Sequence, residues 1–292
     1  MRLFLQLHSR FPSLYLKENF DFSRHTTIGC GGRAKVAAYP ASVEESAALL
    51  AFLQRERIPV CFLGAGANVL PSDEDFDGVV VLFHKLNALY ADDTVLYAGA
   101  GVTGGAFLRY AWEHGIGGFS AFSGIPMTVG GAITMNAGIK QLHCSDVVRR
   151  VLCVESGKLR TFEISDCDFG EKYSIFQNGI AVLGAYFQGK SALPDVIAKE
   201  SCYFRSLRAH LPKGRSMGCT FVNPEHGCAG QLIEQCHLKN ARVGGAVVSP
   251  LHANFIINEH GTATDVAMLI NLVKQVVKAQ TGVDLREEIR RI

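Results

Sequence analysis

The chain has 292 residues, enough for two or three packed modules rather than a single core. Its 48% hydrophobic and 19% charged residues describe an ordinary folded protein, not a disordered one. A net charge of +2, with no Lys/Arg run interleaved with aromatics, argues against a nucleic-acid partner. No apolar run approaches the roughly 20 residues that span a membrane. The opening MRLFLQLHSRFPS has an apolar stretch only from Leu3 to Leu7, broken by Gln6, and no small-residue cleavage site follows. Nine cysteines fall in no CxxC or Cys/His ligand spacing, so free thiols in a cytoplasmic protein are expected. His84, His114, His210, His237 and His252 do not recur at ligand spacing, and no metal site is expected.

In chain order, Ser42 with Glu45 forms a capping-box pattern before a helix carrying Leu49, Leu50 and Leu53. IPVCFLGAGANVL reads as a strand running into a glycine loop, and GVVVLF (78–83) as a buried strand. Thr103 to His114 reads as a short helix closed by Gly115, with Phe107 and Trp112 in the core. VLCVESGKLRTFEI (151–164) is a hairpin about a Ser-Gly turn. Pro194 opens a helical stretch to about Ala209, stopped by Pro212. The loop KGRSMGCTFVNP (213–224) leads to a helix from Ala229, and HANFIIN (252–258) reads as a strand. Thr264 is then expected to cap a long helix with Val266, Leu269, Ile270, Val273 and Val277 on one face. Strand-rich and helix-rich stretches are segregated, which predicts an α+β fold rather than a doubly wound parallel sheet.

The 30 glycines exceed the usual share of about 7% and are clustered. The clusters are GCGGRA (29–34), GAGAN (64–68), GAGVTGG (99–105), GIGG (115–118), GIPMTVGGA (124–132) and VGGA (243–246). A backbone that closes on a diphosphate with converging N–H groups does not tolerate Cβ atoms. Several such loops in one half of the chain point to a large phosphate-bearing ligand. Each cluster alone also suits a tight turn, and GAGAN is not the GxGxxG fingerprint of the common dinucleotide fold.

Taken together and in order, HTTIGCGGRA (25–34), LGAGANVL (63–70), SGIPMTVGGAITMNAG (123–138), AGQLIEQCHLKNARVGGAVVSPLHANFIIN (229–258) and LREEI (285–289) are more specific. They resemble the UDP-N-acetylenolpyruvoylglucosamine reductase family from about residue 20 to the end. The short interval from Gln188 to Lys213 resembles its compact subtype. The resemblance implies a two-subdomain FAD-binding fold of the vanillyl-alcohol-oxidase (PCMH) type plus a C-terminal α+β substrate-binding domain. The implied domains are 1–78, then 79–207 joined by 283–292, then 208–282. FAD is expected along Gly64, Ala65, Gly66, Ala67, Asn68, Val69 and Leu70. It is also expected along Ser123, Gly124, Ile125, Pro126, Thr128, Val129, Gly130, Gly131 and Asn136, with Thr27 nearby. NADPH is the implied co-substrate and a UDP-sugar bearing an enolpyruvyl group the implied substrate, in peptidoglycan precursor synthesis. No obligate protein partner is evident.

Reducing that double bond requires a proton donor beside the developing carbanion and groups that stabilise charge on the carboxylate. The family's donor is a serine in a Gly-Ser-x-Phe-x-x-Pro loop. Here the loop reads GCTFVNP, which puts Cys219 in that role. A thiol has an unperturbed pKa of about 8.5, so it is a stronger acid than a hydroxyl and still carries its proton at neutral pH. Asn223 of the same loop matches a family asparagine near substrate. Glu288 matches the family's catalytic glutamate, with Glu287 its adjacent competitor. The family's Phe-Gly-Tyr-Arg-x-Ser reads FGEKYS (169–174), so Lys172 stands for the carboxylate-holding arginine without its bidentate fork. Arg215 or Arg208 is a candidate to supply that fork. After MNAG the usual Ala-Tyr-Gly-Gly-Glu is replaced by IKQLHC (139–144). Two other readings stay open: another flavin oxidoreductase on the same fold, or a flavin-binding paralogue without catalysis.

Overall fold

The computed structural model describes residues 2–225 and 227–292. The chain divides into two units. The first comprises Met1–Glu18, Val36–Ala65 and Gly78–Ala209; the second comprises Asn19–Lys35, Gly66–Asp77 and His210–Ile292. Each has its own apolar cluster.

The first unit opens with helix α1 (Arg2–Arg10). A four-stranded sheet follows, built from β1 (Tyr15–Asp21), β2 (Arg33–Tyr39), β3 (Val60–Phe62) and β4 (Phe76–Val81) in the order β1-β2-β4-β3. β3 lies parallel to β4, with Cys61 opposite Val80. Helix α2 (Val43–Arg55) begins at Ser42, whose hydroxyl accepts the Glu45 N–H at 3.1 Å. The Glu45 carboxylate turns instead to the Ala41 N–H at 2.7 Å, so only half of the expected box forms.

A second, wholly antiparallel sheet contains β5 (Leu89–Asp92), β6 (Val95–Gly99), β7 (Val148–Glu155), β8 (Lys158–Glu163) and β9 (Ala181–Gln188), ordered β8-β7-β9-β6-β5. The β7–β8 hairpin turns at Ser156 (φ 50°) and Gly157 (φ 72°), the left-handed pair that matches strand twist. Helices α3 (Gly104–Glu113), α4 (Val129–Thr134) and α5 (Pro194–Ser206) complete the unit. Thr103 caps α3 and Gly115 (φ 64°) closes it. Trp112 is not in the core: it is 43% exposed, with its indole N–H on the Pro194 carbonyl at 3.1 Å. Phe107 and Ala111, four residues apart, share the buried face, and Trp112 points about 100° further round the helix. Helix α5 ends at Ser206, and residues 207–210 form a turn in place of the expected last helical turn.

The second unit contains α6 (Ala229–Gln235), strands β10 (Arg242–Val243), β11 (Ala246–Val248) and β12 (Ile256–Asn258), and the long α7 (Ala263–Thr281). The strand expected over 252–258 narrows to its last three residues, because the Phe255 N–H turns back onto the His252 carbonyl at 2.9 Å. The cap of α7 is Thr262 rather than Thr264. Thr262 and Asp265 have the three-residue spacing for a reciprocal box and exchange bonds of 3.1 and 3.0 Å. Thr264 lies in the first turn and donates its N–H and hydroxyl to Asp73, each at 2.7 Å. Val266, Leu269, Ile270, Val273 and Val277 form the buried face of α7 as the periodicity requires. Val69–Leu70 pairs in parallel with Arg290–Arg291 near the chain's end. Among the described residues no helix is long and apolar enough to cross a membrane.

Candidate active site

Residues Gly64 to Asn68 form an irregular loop after β3. Among the described residues, no protein group accepts the backbone N–H of Gly64, Ala65, Gly66, Ala67 or Asn68. Unpaired backbone donors are costly unless a ligand or water takes them, and a run of them is a ready cradle for diphosphate oxygens. Gly66 sits at φ 65°, and a Cβ there would run into the His25 carbonyl. A Cβ on Gly64 would lie 2.5 Å from the Thr128 hydroxyl. Thr27 braces the loop within the second unit: its N–H meets the Gly66 carbonyl at 2.9 Å and its hydroxyl the Ser216 carbonyl at 2.6 Å.

The Ser123–Asn136 segment divides its duties. The Ser123 hydroxyl is buried and, among the described residues, has no hydrogen-bond partner, which fits a group reserved for a ligand. Gly124 (φ 81°) is held by Arg208, whose Nε donates to its carbonyl at 3.1 Å. A cleft of about 640 Å³ opens beside Ser123, Gly124, Ile125 and Pro126, with Arg109 and Arg205 on its wall. The start of α4 is different. The N–H groups of Val129 and Gly130 already donate to Val102 and Ala100, each at 2.9 Å, and the Thr128 hydroxyl accepts from Gly131. Gly130 serves packing, since a Cβ there would lie 3.0 Å from that of Ala100. The loop at 64–68 and the Ser123 hydroxyl are therefore what fits FAD best.

Asn136, 5% exposed and at φ 42°, uses both ends of its amide inside the first unit. It donates to the Gly170 carbonyl at 2.9 Å and accepts the Ser145 N–H at 2.9 Å. Gly170 and Tyr173 close a tight turn with bonds of 3.0 and 3.2 Å, leaving Lys172 at φ 55°. The Lys172 ammonium reaches the Gly138 carbonyl at 3.4 Å. Gly138–Ile139 pairs with Leu142–His143, so the altered IKQLHC segment folds as a miniature hairpin.

In the second unit, the segment from Cys219 to Val222 is the middle of a three-part ladder. On one side Cys219 bridges Phe255, and the Thr220 N–H donates to the Asn254 carbonyl at 2.7 Å. On the other, Phe221 bridges Glu287, the Glu288 N–H donates to the Thr220 carbonyl at 2.8 Å, and the Val222 N–H donates to Arg286 at 2.9 Å. The backbones of Cys219 and Glu288, 69 positions apart in number, thus stand one ladder step from each other. Glu287 is committed elsewhere, to Lys274 at 3.2 Å and Arg291 at 2.9 Å. Burial opposes its ionisation, but Arg291 and then Lys274 outweigh that and hold its carboxyl below the usual range. That leaves Glu288 as the better candidate. Asn223 accepts the Ala229 N–H at 3.0 Å at the start of α6, and the Arg215 side chain lies over Gly29.

Two polar residues escaped the sequence reading. Asn254, 3% exposed, accepts the Phe221 N–H at 2.9 Å and donates to the Phe221 carbonyl at 2.8 Å. The Thr220 hydroxyl is buried with no partner among the described residues. A polar residue inside the apolar HANFIIN run was the available signal for the first. All nine cysteines are free. Burial pushes the Cys30 thiol up to about 11 and those of Cys61, Cys144, Cys153 and Cys167 to about 12, so they stay protonated and inert. Cys219 is only partly buried.

A family model for the UDP-N-acetylenolpyruvoylglucosamine reductase C-terminal domain matches residues 210–292, and one for an FAD binding domain matches 34–162. The chain is 35% identical to UDP-N-acetylenolpyruvoylglucosamine reductase of Geobacter metallireducens, covering 99% of this chain and 97% of the relative. It is 38% identical to the enzyme of that name from Protochlamydia amoebophila, covering 96% and 95%. The crystal structure of the Thermus caldophilus reductase superimposes with a TM-score of 0.82 at 28% identity, over 95% of this chain and 99% of that one. The chain belongs to the UDP-N-acetylenolpyruvoylglucosamine reductase family of flavoprotein oxidoreductases.

Proposed function

We propose that the protein reduces UDP-N-acetylglucosamine enolpyruvate to UDP-N-acetylmuramate with NADPH, in peptidoglycan precursor synthesis. The observation that carries this reading is the ladder holding the segments of Cys219 and Glu288 side by side. Bound FAD supplies the hydride relay between the nicotinamide and the sugar's enolpyruvyl group. The backbone N–H groups of Gly64 to Asn68 would hold it, and the Ser123 hydroxyl is a further candidate donor.

Hydride adds at the methylene carbon of the double bond, and the electron pair moves toward the carboxylate as an enolate. Cys219 then delivers its thiol proton to the neighbouring carbon and is recharged from solvent. Glu288 stabilises the enolate through a hydrogen bond to its oxygen. The Lys172 ammonium offsets the carboxylate charge as a point charge rather than a planar fork. Asn223 and Arg215 contact the rest of the sugar nucleotide.

The test is NADPH consumption by the yellow purified protein. Consumption that depends on the enolpyruvyl sugar nucleotide supports the proposal. Flavin that bleaches with NADPH but is not reoxidised by that nucleotide would make the chain a flavin-binding paralogue without this activity.

A further inference from the structure

The Asn254 amide imitates a strand. It takes the Phe221 N–H at 2.9 Å and gives a hydrogen to the Phe221 carbonyl at 2.8 Å, while the Asn254 backbone carbonyl accepts the Thr220 N–H at 2.7 Å. Three bonds from one residue therefore fix the two residues that follow Cys219. All lie in a buried setting: Asn254 is 3%, Thr220 1% and Phe221 1% exposed. Hydrogen bonds removed there are not replaced by water. On the other side of Cys219, Gly218 stands at φ 77° and Met217 is 2% exposed. The Thr220 carbonyl in turn accepts the Glu288 N–H, so the position of the acid's segment depends on the same residues.

We propose that Asn254 is the positioning residue of the protonation step, fixing the Cys219 segment against the segment that carries Glu288. This rests on the reductase reading above. A misplacement of a reacting group by about 1 Å costs on the order of 10²-fold in rate. Among the described residues no hydrogen bond links Asn254 to the Gly64–Asn68 loop, so its loss should strike only one half of the reaction.

The experiment measures both half-reactions by stopped flow in the flavin-loaded enzyme, for wild type, Asn254→Ala, Cys219→Ala and the double variant. In Asn254→Ala, flavin bleaching by NADPH should stay within about twofold of wild type, while reoxidation by the enolpyruvyl sugar nucleotide slows by about 10²-fold. In the Cys219→Ala background the same Asn254→Ala change should have little further effect, because the group it positions is gone. Proportional loss of both half-reactions, or an undiminished effect of Asn254→Ala without Cys219, would overturn the proposal. If Asn254→Ala does not retain flavin, Asn254→Asp carries the same cycle, since it keeps the shape and the acceptor for the Phe221 N–H. Wild-type enzyme that is not reoxidised by the nucleotide overturns the reductase reading itself, and with it this role.

Discussion

Among the described residues the Gly64–Asn68 loop offers backbone N–H groups with no protein acceptor, whereas the Cys219–Val222 segment has its backbone engaged on both flanks and leaves the chemistry to side chains. In the first, function lies in what glycine omits: a Cβ at Gly66 would strike the His25 carbonyl. In the second, function lies in one side chain and in the bonds that hold it. A ligand bound through backbone is insensitive to most side-chain changes but fails on adding a methyl group. A proton donor fails on losing one atom and is sensitive to its support.

This contrast can be broken most strongly at Cys219. Cys219→Ala should lower turnover by about 10²- to 10⁴-fold, the usual worth of a general acid, and Cys219→Ser should retain substantial activity. Equal turnover in the Ala variant would remove the ladder from the chemistry. Next in size is Gly66→Ala, which forces a left-handed alanine and a backbone collision, at a cost of about 1–3 kcal/mol. It should show as lost flavin, read from the ratio of visible to protein absorbance, with normal specific activity in the molecules that keep it. Full flavin content would show that the loop is not the cradle. Lys172→Met should slow reoxidation by about tenfold, or about 1.4 kcal/mol, and Lys172→Arg should be tolerated. An unchanged Met variant would pass the carboxylate to another cation, such as Arg215.

The smallest effect concerns the support of the second unit. Asp73 accepts the N–H groups of Ala263 and Thr264 and the Thr264 hydroxyl at the start of α7. Partial burial opposes its ionisation, but the Thr264 hydroxyl and the two N–H groups outweigh that and lower its pKa from 3.8. A carboxyl that is more acidic folded than unfolded adds stability above the unfolded value, and that stability disappears as pH falls through the folded one. Asp73→Ala should therefore cost about 1 kcal/mol in thermal or denaturant melts near pH 7, and progressively less as pH falls below 3.8. A pH-independent difference would mean that the charge contributes nothing.

What the sequence made legible follows the same contrast. The glycine loops, the Thr103 and Ser42 caps, the β7–β8 hairpin and the α7 face are local patterns that a few adjacent residues determine. Some local readings still missed. Apolarity alone puts Trp112 inside although Phe107 and Ala111 define the buried face, and Thr264 resembles a cap although Thr262 and Asp265 form it. The Cys219 ladder was not legible as geometry at all, because its bonds join segments 33 positions and more apart. Motif resemblance pointed to Cys219 and Glu288; only the fold brings in Asn254 and commits Glu287 to Lys274 and Arg291.

The division between a backbone that holds the flavin and a ladder that delivers the proton is tested most directly by single-turnover kinetics on Cys219→Ala. Cys219→Ala should show normal flavin content, NADPH bleaching within about twofold of wild type, and reoxidation by the enolpyruvyl sugar nucleotide slowed at least about 10²-fold. Reoxidation at the wild-type rate, or bleaching slowed as much as reoxidation, would contradict it.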